Sequence, residues 1–312
     1  MREDYPKTIL ELERQLATDE ACRDYLFQLR WPNGFVCPRC SGSSAWPASR
    51  GRLICQACRH QTSVTAGTIF QDTRTPLALW FRAVWYVTSQ KNGTSAANIQ
   101  RLLGLGSYQT AWTWLHKLRR AMVRPGRDKL HGRVEVEETF VEGEDSQGLW
   151  VAHKAVVVIA AEEDGARIGR IRLARIPSPT KDVLHDFAVT SIERGSFVHT
   201  DGSMAWRGLK KLGYRHKPTV LLGRKDKNAA SRLLPRVHRV ASLLKRWLLG
   251  THQGAVEPAH LDYYLDEFTF RFNRRTSRSR GKLFYRLLQQ AVEIQPTTYR
   301  QIVGGRSTDT RE

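Results

Sequence analysis

The sequence predicts a multidomain α/β protein, with small cysteine-bearing and helical modules first and a mixed-sheet domain after them. Three observations carry that expectation. A Cys-x2-Cys pair occurs twice before residue 60, two helix-period segments are broken by closely spaced glycines near residue 105, and helical periodicity gives way to strand periodicity near residue 132. The 312 residues suffice for about two domains, and 41% hydrophobic content excludes wholesale disorder. Fifty Lys and Arg against thirty Asp and Glu give a formal charge of +20. That balance points to a polyanionic partner, and nucleic acid is the commonest one for a basic protein. No apolar run approaches the ~18 residues of a membrane span. The start "MREDYPKTILELE" lacks the basic-then-apolar layout of a secretion signal, so a cytoplasmic location is expected.

Residues 1–33 read as a helical segment, in which Cys22 of "EACRDYLFQLRW" is a small buried apolar residue rather than a ligand. The other four cysteines are Cys37 and Cys40 in "VCPRC" and Cys55 and Cys58 in "ICQAC". Two short turns that each present two thiolates can close a tetrahedron around zinc, and four thiolates leave no open position for water, so the site is structural. Two disulfides or a redox pair are the rival readings. A reducing compartment disfavours the first and the doubled motif disfavours the second. With the turn-rich "SGSSAWPASRGR" and the β-prone "HQTSVTAGTIF", residues 34–70 form a zinc ribbon.

Residues 71–124 read as a helix-turn-helix region. Thr75 and Pro76 offer a cap and first-turn pair for the apolar helix "LALWFRAVWYVTSQ", with Trp80 and Trp85 as core residues. In "TSAANIQRLLGLGSYQTAWTWLHKLRRAM", Ile99, Leu102 and Leu103 mark an apolar face, Gly104 to Gly106 make the break, and Ser107 caps the next helix. On that helix Ala111, Leu115 and Leu118 point inward. Gln109, Thr113, Lys117 and Arg120 face outward, as amide, hydroxyl and cationic tips that suit bases and phosphates. An ordinary helical hairpin is the competing reading.

After the basic Pro/Gly linker "VRPGRDKLHG", three strands follow: alternating "RVEVEETFV", continuous "KAVVVIAA" and alternating "IGRIRLARI". A helix over "SPTKDVLHDFAVTSIERG", a short strand ending at Asp201 and another helix complete a mixed order over 132–275 that fits an RNase H-like fold. Adjacent strand tips in such a sheet bring Glu137 and Asp201 together. Two converging carboxylates in a basic protein suit Mg²⁺ or Mn²⁺ and phosphoryl transfer. On "LPRVHRVASLLKRWLLG" the 100° rotation per residue puts Val237, Val240, Leu244 and Leu248 on the apolar face. His238, Ser242 and Lys245 share another flank, His238 as a metal ligand and Lys245 as a phosphate contact; a lone helical His is more often structural. Glu135 shares a face with Glu137 and is a further candidate, whereas Glu142, Glu144 and Asp145 read as a solvated turn. Arg271, Arg274 and Arg275 open the Arg-rich "FRFNRRTSRSRGK", read as tracking a DNA backbone, and residues 276–312 read as a basic C-terminal tail.

"CPRC", "CQAC", "VEVEETFVEG", "HTDGSMAWRGL" and "LLKRWLLGTHQGAVEPAHLDYYLDEFTFRFNRR" together resemble the DDE-type transposases of bacterial insertion sequences that carry a zinc ribbon, the ISXO-like group, over nearly the full length. The resemblance implies a catalytic domain that uses Mg²⁺ or Mn²⁺ to cleave and join double-stranded DNA at terminal inverted repeats. It puts the first acid at Glu137, where the family usually has Asp, and the second at Asp201. The third family position varies between Glu, Asn and His, with Lys seven residues later, which maps to His238 and Lys245; Glu257 is the fallback. Synapsis of two DNA ends implies a homodimer or larger assembly, and nucleoid association follows from the substrate. A catalytically impaired, transposase-derived DNA-binding protein is the alternative, with a nuclease or resolvase lacking strand transfer third.

Overall fold

The computed structural model describes residues 4–124, 126–141, 155–220, 232–253 and 256–304. The chain divides into two compact units. One runs to Arg124 and takes in Thr276–Ile302; the other holds the described residues from 126 to Arg275 and 303–304.

The first unit begins with α1 (Ile9–Gln15) and α2 (Asp19–Arg30), capped by Thr8 and Thr18, whose hydroxyls accept from the backbone N–H three residues on. Cys22 is fully buried on α2, as its helical setting predicts. Strands β1 (Ala45–Ala48), β2 (Arg52–Cys55) and β3 (Gln61–Ser63) form an antiparallel sheet in that order. Three helices follow: α3 (Leu77–Ser89), α4 (Ala96–Leu103) and α5 (Tyr108–Ala121).

Trp80 and Trp85 of α3 are core residues, and Trp80 stacks on Trp114 with centroids 3.8 Å apart. The cap of α3 is not Thr75. Pro76 occupies the N-cap position without a side-chain bond, and the Asp19 carboxylate of α2 accepts from Ala78 N at 3.2 Å. Gly104, at φ 62°, ends α4 in the left-handed region, and Ser107 accepts from Thr110 N to start α5. Ile99 is buried, but Leu102, one turn on, lies exposed at the margin of that face.

The expected C-terminal tail is instead an ordered part of this unit over its described residues. Helix α9 (Arg280–Ala291; α6 to α8 lie in the second unit, below) is capped by Ser279 and buries Leu283, Phe284, Leu287, Leu288 and Ala291 against α2, α3 and α5. Its apolar spacing, masked in the sequence by the arginines before it, is the physical reason. A short helix, α10 (Tyr299–Val303), follows.

The second unit is a five-stranded mixed sheet: β4 (Arg133–Val141), β5 (Ala155–Asp164), β6 (Arg167–Ile176), β7 (Phe197–Thr200) and β8 (Arg215–Pro218), in the order β6-β5-β4-β7-β8. β5 is antiparallel to both its neighbours, and β4, β7 and β8 run parallel, the arrangement of an RNase H-like sheet. Helix α6 (Lys181–Ser191) covers one face with Trp206 and Leu209, over Val134, Val136 and Val158. Helices α7 (Pro235–His252) and α8 (Leu261–Asn273) cover the other, over Val157, Ile159 and Ala161.

Three features depart from the sequence reading here. The segment after Asp201 makes two 3-10 turns, Met204–Trp206 and Leu209–Leu212, because Gly208 and Gly213 sit at positive φ where an α-helix would continue. The polar "RHKP" of β8, short and ending in proline, is an edge strand without the alternation that announces one. The linker is also shorter than its composition suggested, since Leu130 is buried and bonds backbone to backbone with Ser191 and Glu193.

Candidate active site and metal centres

The four ribbon cysteines place their sulfurs all within 4.8 Å of one another. Cys37 and Cys58 stand 3.7 Å apart, and Cys40 and Cys55 3.6 Å. Thiolates at ~2.3 Å from a tetrahedral zinc lie about 3.8 Å from each other, so the residues fit that ion. The two knuckles repeat one backbone pattern. Cys37 O accepts from Ser41 N and Cys55 O from Arg59 N; Cys37 N donates to Gly42 O and Cys55 N to His60 O. Ser41 and Arg59 hold φ at 60° and 59°, the left-handed turn that folds each chain back so that both thiols point inward. Arg39 N donates to Cys37 Sγ at 3.4 Å, as suits a thiolate.

The second site forms where β4 meets β7 and α7. Glu135 and Glu137 alternate onto the α7 face of the sheet. β7 pairs with β4 up to Thr200 opposite Val136, so Asp201 falls at the next position, beside Glu137. Across the face, burial of Val237, Val240, Leu244 and Leu248 turns His238 toward the strand. His238 Nε2 lies 3.1 Å from Glu137 Oε2. That nitrogen is sealed from solvent, yet the pair lacks the alignment of a hydrogen bond. The Glu137 carboxylate raises the imidazole's pKa above its ordinary value, against the opposing effect of burial. Two ligands of one octahedral cation at 2.0–2.1 Å are about 3 Å apart along an edge, so this orphaned nitrogen and its carboxylate neighbour fit a shared ion.

Asp201 is not gathered equally closely. Among the described residues the cysteines are the one set of three or more potential ligands whose donor atoms all lie within 4.8 Å of one another. Asp201 Oδ1 accepts from Ser203 N at 3.0 Å, which holds the carboxylate in a turn at the strand end. Lys245 is exposed two turns beyond His238 on the same flank. Glu257 lies in the turn before α8, 3.4 Å from His260 Nδ1. The turn residues Glu142, Glu144 and Asp145 fall outside the described residues.

Sequence reasoning missed Glu138. It points to the opposite face from Glu137, where Trp206 Nε1 donates to Glu138 Oε2 at 3.3 Å. Burial, then the charge of Asp201, pushes its carboxyl up to about 7. A second acid directly after Glu137 was the available signal, but strict alternation assigns it to the back of the strand.

The expected DNA contacts divide. Gln109 is exposed, and with Thr113 and Lys117 it lines a groove completed by Arg74, Trp80 and Tyr299. Thr113 donates its hydroxyl to Gln109 O at 2.7 Å. Burial lowers the Lys117 pKa, partly countered by Asp72. Arg120 is half-buried. Arg271 does not track a backbone: its guanidinium pairs at 2.7 Å with Glu267 one helical turn earlier, and both side chains are largely buried. Arg274 stacks on Phe270, while Arg275 stacks on Phe272 and donates to the carbonyls of Gly169 and Phe272.

A four-cysteine ribbon joined to a mixed α/β domain, with one acid midway along β4 and another just past the end of the adjacent β7, fits the class of zinc-ribbon transposases of insertion sequences. Residues 129–273 match the ISXO2-like transposase domain and residues 17–61 the transposase zinc-ribbon domain, the latter starting upstream of the expected ribbon at the head of α2. The chain thus joins a transposase zinc ribbon to an ISXO2-like transposase domain. It is similar to an uncharacterized protein in the transposable element ISH50 of Halobacterium salinarum, at 26% identity over 291 residues, covering 86% of this chain and 95% of the relative. No helix among the described residues is long and apolar enough to cross a membrane.

Proposed function

We propose that this transposase binds the terminal inverted repeats of its element and carries out metal-dependent strand cleavage and strand transfer. The observation that carries the catalytic part is the sealed, unbonded His238 Nε2 at 3.1 Å from Glu137, beside the strand end that bears Asp201. Glu137, Asp201 and His238 would hold Mg²⁺ or Mn²⁺. The bound ion would supply Lewis-acid stabilisation of charge on the reacting phosphate oxygens. Glu137 presents its carboxylate from a strand fixed on both sides, and His238 presents nitrogen from a helix seated on the core. Lys245 gives a cation two turns away for a non-reacting phosphate.

DNA is held by the first unit, with Gln109, Thr113, Lys117 and Arg120 of α5 at the groove edge and the ribbon next to them in the chain, in a helix-turn-helix role for α4 and α5. Arg274 and Arg275 offer cations to the backbone on the catalytic unit. Two ends must meet for transposition, so the working species is a dimer or larger.

The alternative, a transposase-derived DNA-binding protein without catalysis, is favoured by one feature: Asp201 is not closed upon Glu137 and His238 as the cysteines are closed upon one another. One experiment separates the two. Purified protein is incubated with DNA from the ends of its own element and Mg²⁺ or Mn²⁺, and nicks are mapped to the nucleotide. Cleavage at the repeat ends that Asp201→Asn abolishes supports the transposase reading. Specific binding without cleavage in either metal selects the alternative, and cleavage indifferent to Asp201→Asn overturns the proposed site.

A further inference from the structure

Strand β4 carries, two residues before Glu137 and on the same face, a carboxylate the proposed chemistry does not use. Glu135 is 1% exposed, and its hydrogen bonds go to the first turn of α7. Oε2 accepts from Arg236 N at 2.7 Å and from Val237 N at 3.0 Å, and Oε1 accepts from Arg236 Nη1 at 2.9 Å. The helix has no local cap. Leu234 at the N-cap position contributes no side-chain bond, and Pro235 has no N–H to satisfy. Glu135 therefore caps α7 from a strand that lies about a hundred residues earlier in the chain. Arg236 ties the same turn to the next strand, with Nη1 3.4 Å from Glu163 Oε1 and Nη2 donating to Gly165 O.

We infer that Glu135 is the positioning residue for His238. The two contacts run side by side between the same two elements. Glu135 holds the backbone of Arg236 and Val237; two places along the strand, and in the next residue of the helix, Glu137 faces His238. A helix can slide or tilt on an apolar face, because dispersion contacts have little directional preference. A carboxylate that takes two adjacent N–H groups fixes both the height and the rotation of the first turn. This is why a fully buried acid is kept beside a site that needs its neighbour, and why Glu135 is not a ligand: its oxygens are already occupied by the helix. The inference rests on the proposed metal site of Glu137 and His238.

The test uses the full-length, zinc-loaded protein, with Mn²⁺ alone as the probe and no DNA present. Calorimetric titration gives affinity, and the imidazole-nitrogen coupling in the Mn²⁺ electron-spin-echo spectrum reports whether His238 is bound. Glu135→Gln keeps shape and one acceptor but loses the charge that holds Arg236. It is expected to weaken Mn²⁺ about tenfold and to abolish the nitrogen coupling, with zinc content and duplex affinity unchanged. His238→Ala is expected to weaken Mn²⁺ by a similar factor, and the double variant no further than His238→Ala alone. Independent losses that multiply in the double variant overturn the proposal, as does an intact nitrogen coupling in Glu135→Gln. If Glu135→Gln loses its cooperative melt, Arg236→Lys replaces it, with an expected weakening of about tenfold; wild-type affinity and coupling in that variant overturn the proposal. No Mn²⁺ binding, or no nitrogen coupling, in the unaltered protein overturns the metal reading itself, a result distinct from either variant's failure.

Discussion

Glu137 on β4 and His238 on α7 meet at 3.1 Å across the face of the sheet. The resemblance to ISXO-like transposases implies the shorter Asp at the Glu137 position, and here the longer side chain carries its carboxylate as far as the imidazole. Glu137→Asp is therefore expected to withdraw the carboxylate from His238 and lower metal-dependent cleavage about tenfold, on the order of 1.4 kcal/mol at the barrier. Single-turnover cleavage at saturating DNA is the measurement. A rate that rises in Glu137→Asp would mark the longer acid as a lesion rather than an accommodation.

The doubled zinc knuckle makes the ribbon's fold depend on all four sulfurs, because three short strands bury little else. Cys58→Ser is expected to lose the one equivalent of zinc that the unaltered protein holds and to expose residues 34–63 to protease. Metal analysis with limited proteolysis checks both. Full zinc occupancy in Cys58→Ser would show that the fourth sulfur is dispensable.

Acid should weaken the catalytic unit through Glu162. Burial raises its pKa, but hydrogen bonds from Arg170 and from His131 N overcome that and hold it below the usual carboxylate range. The folded value lies under the unfolded one. The pair's stabilisation is thus fully present above the unfolded pKa of ~4.3 and is lost as pH falls through the folded value. Urea unfolding of the unaltered protein is expected to show a lower midpoint at pH 3 than at pH 6, and Glu162→Gln to narrow the gap between the two. An equal gap in both proteins would assign the acid sensitivity to other carboxylates.

Much of this was legible in residue spacing, and the exceptions share one cause. The 100° rotation put Val237, Val240, Leu244 and Leu248 on one face of α7, and all four are buried. Strand alternation put Glu135 and Glu137 on the α7 face, where both are found. Roles that depend on a partner far along the chain were not legible. Asp19 caps α3, Glu135 caps α7, and Glu138 meets Trp206 from the back of the strand. In each case the residue's neighbours in sequence say nothing of its partner. Arg271 shows the reverse error: inside an Arg-rich run it read as a contact to a DNA backbone, yet Glu267 one turn earlier was an available pairing signal.

The largest misreading, the basic tail, gives the last prediction. Helix α9 begins within the end of the Arg-rich run but completes the first unit, and Phe284 contacts the rings of Tyr25, Phe81 and Trp85. At Gly281 a Cβ would run into the Pro6 carbonyl, so the N-terminal segment closes against this helix too. The unit that holds the ribbon and α3 to α5 therefore lacks a wall until residues 276–302 are in place. Phe284→Ala is expected to destabilise that unit by about 3–5 kcal/mol, the cost of a large core cavity. A chain ending at Arg275 is expected to lose the unit's cooperative melt and its duplex binding. Gly281→Ala should destabilise as well, through the clash rather than a void. Thermal melts and duplex titrations of the three variants check the argument. A chain ending at Arg275 that melts and binds like the full protein would return residues 276–312 to the role of a basic tail.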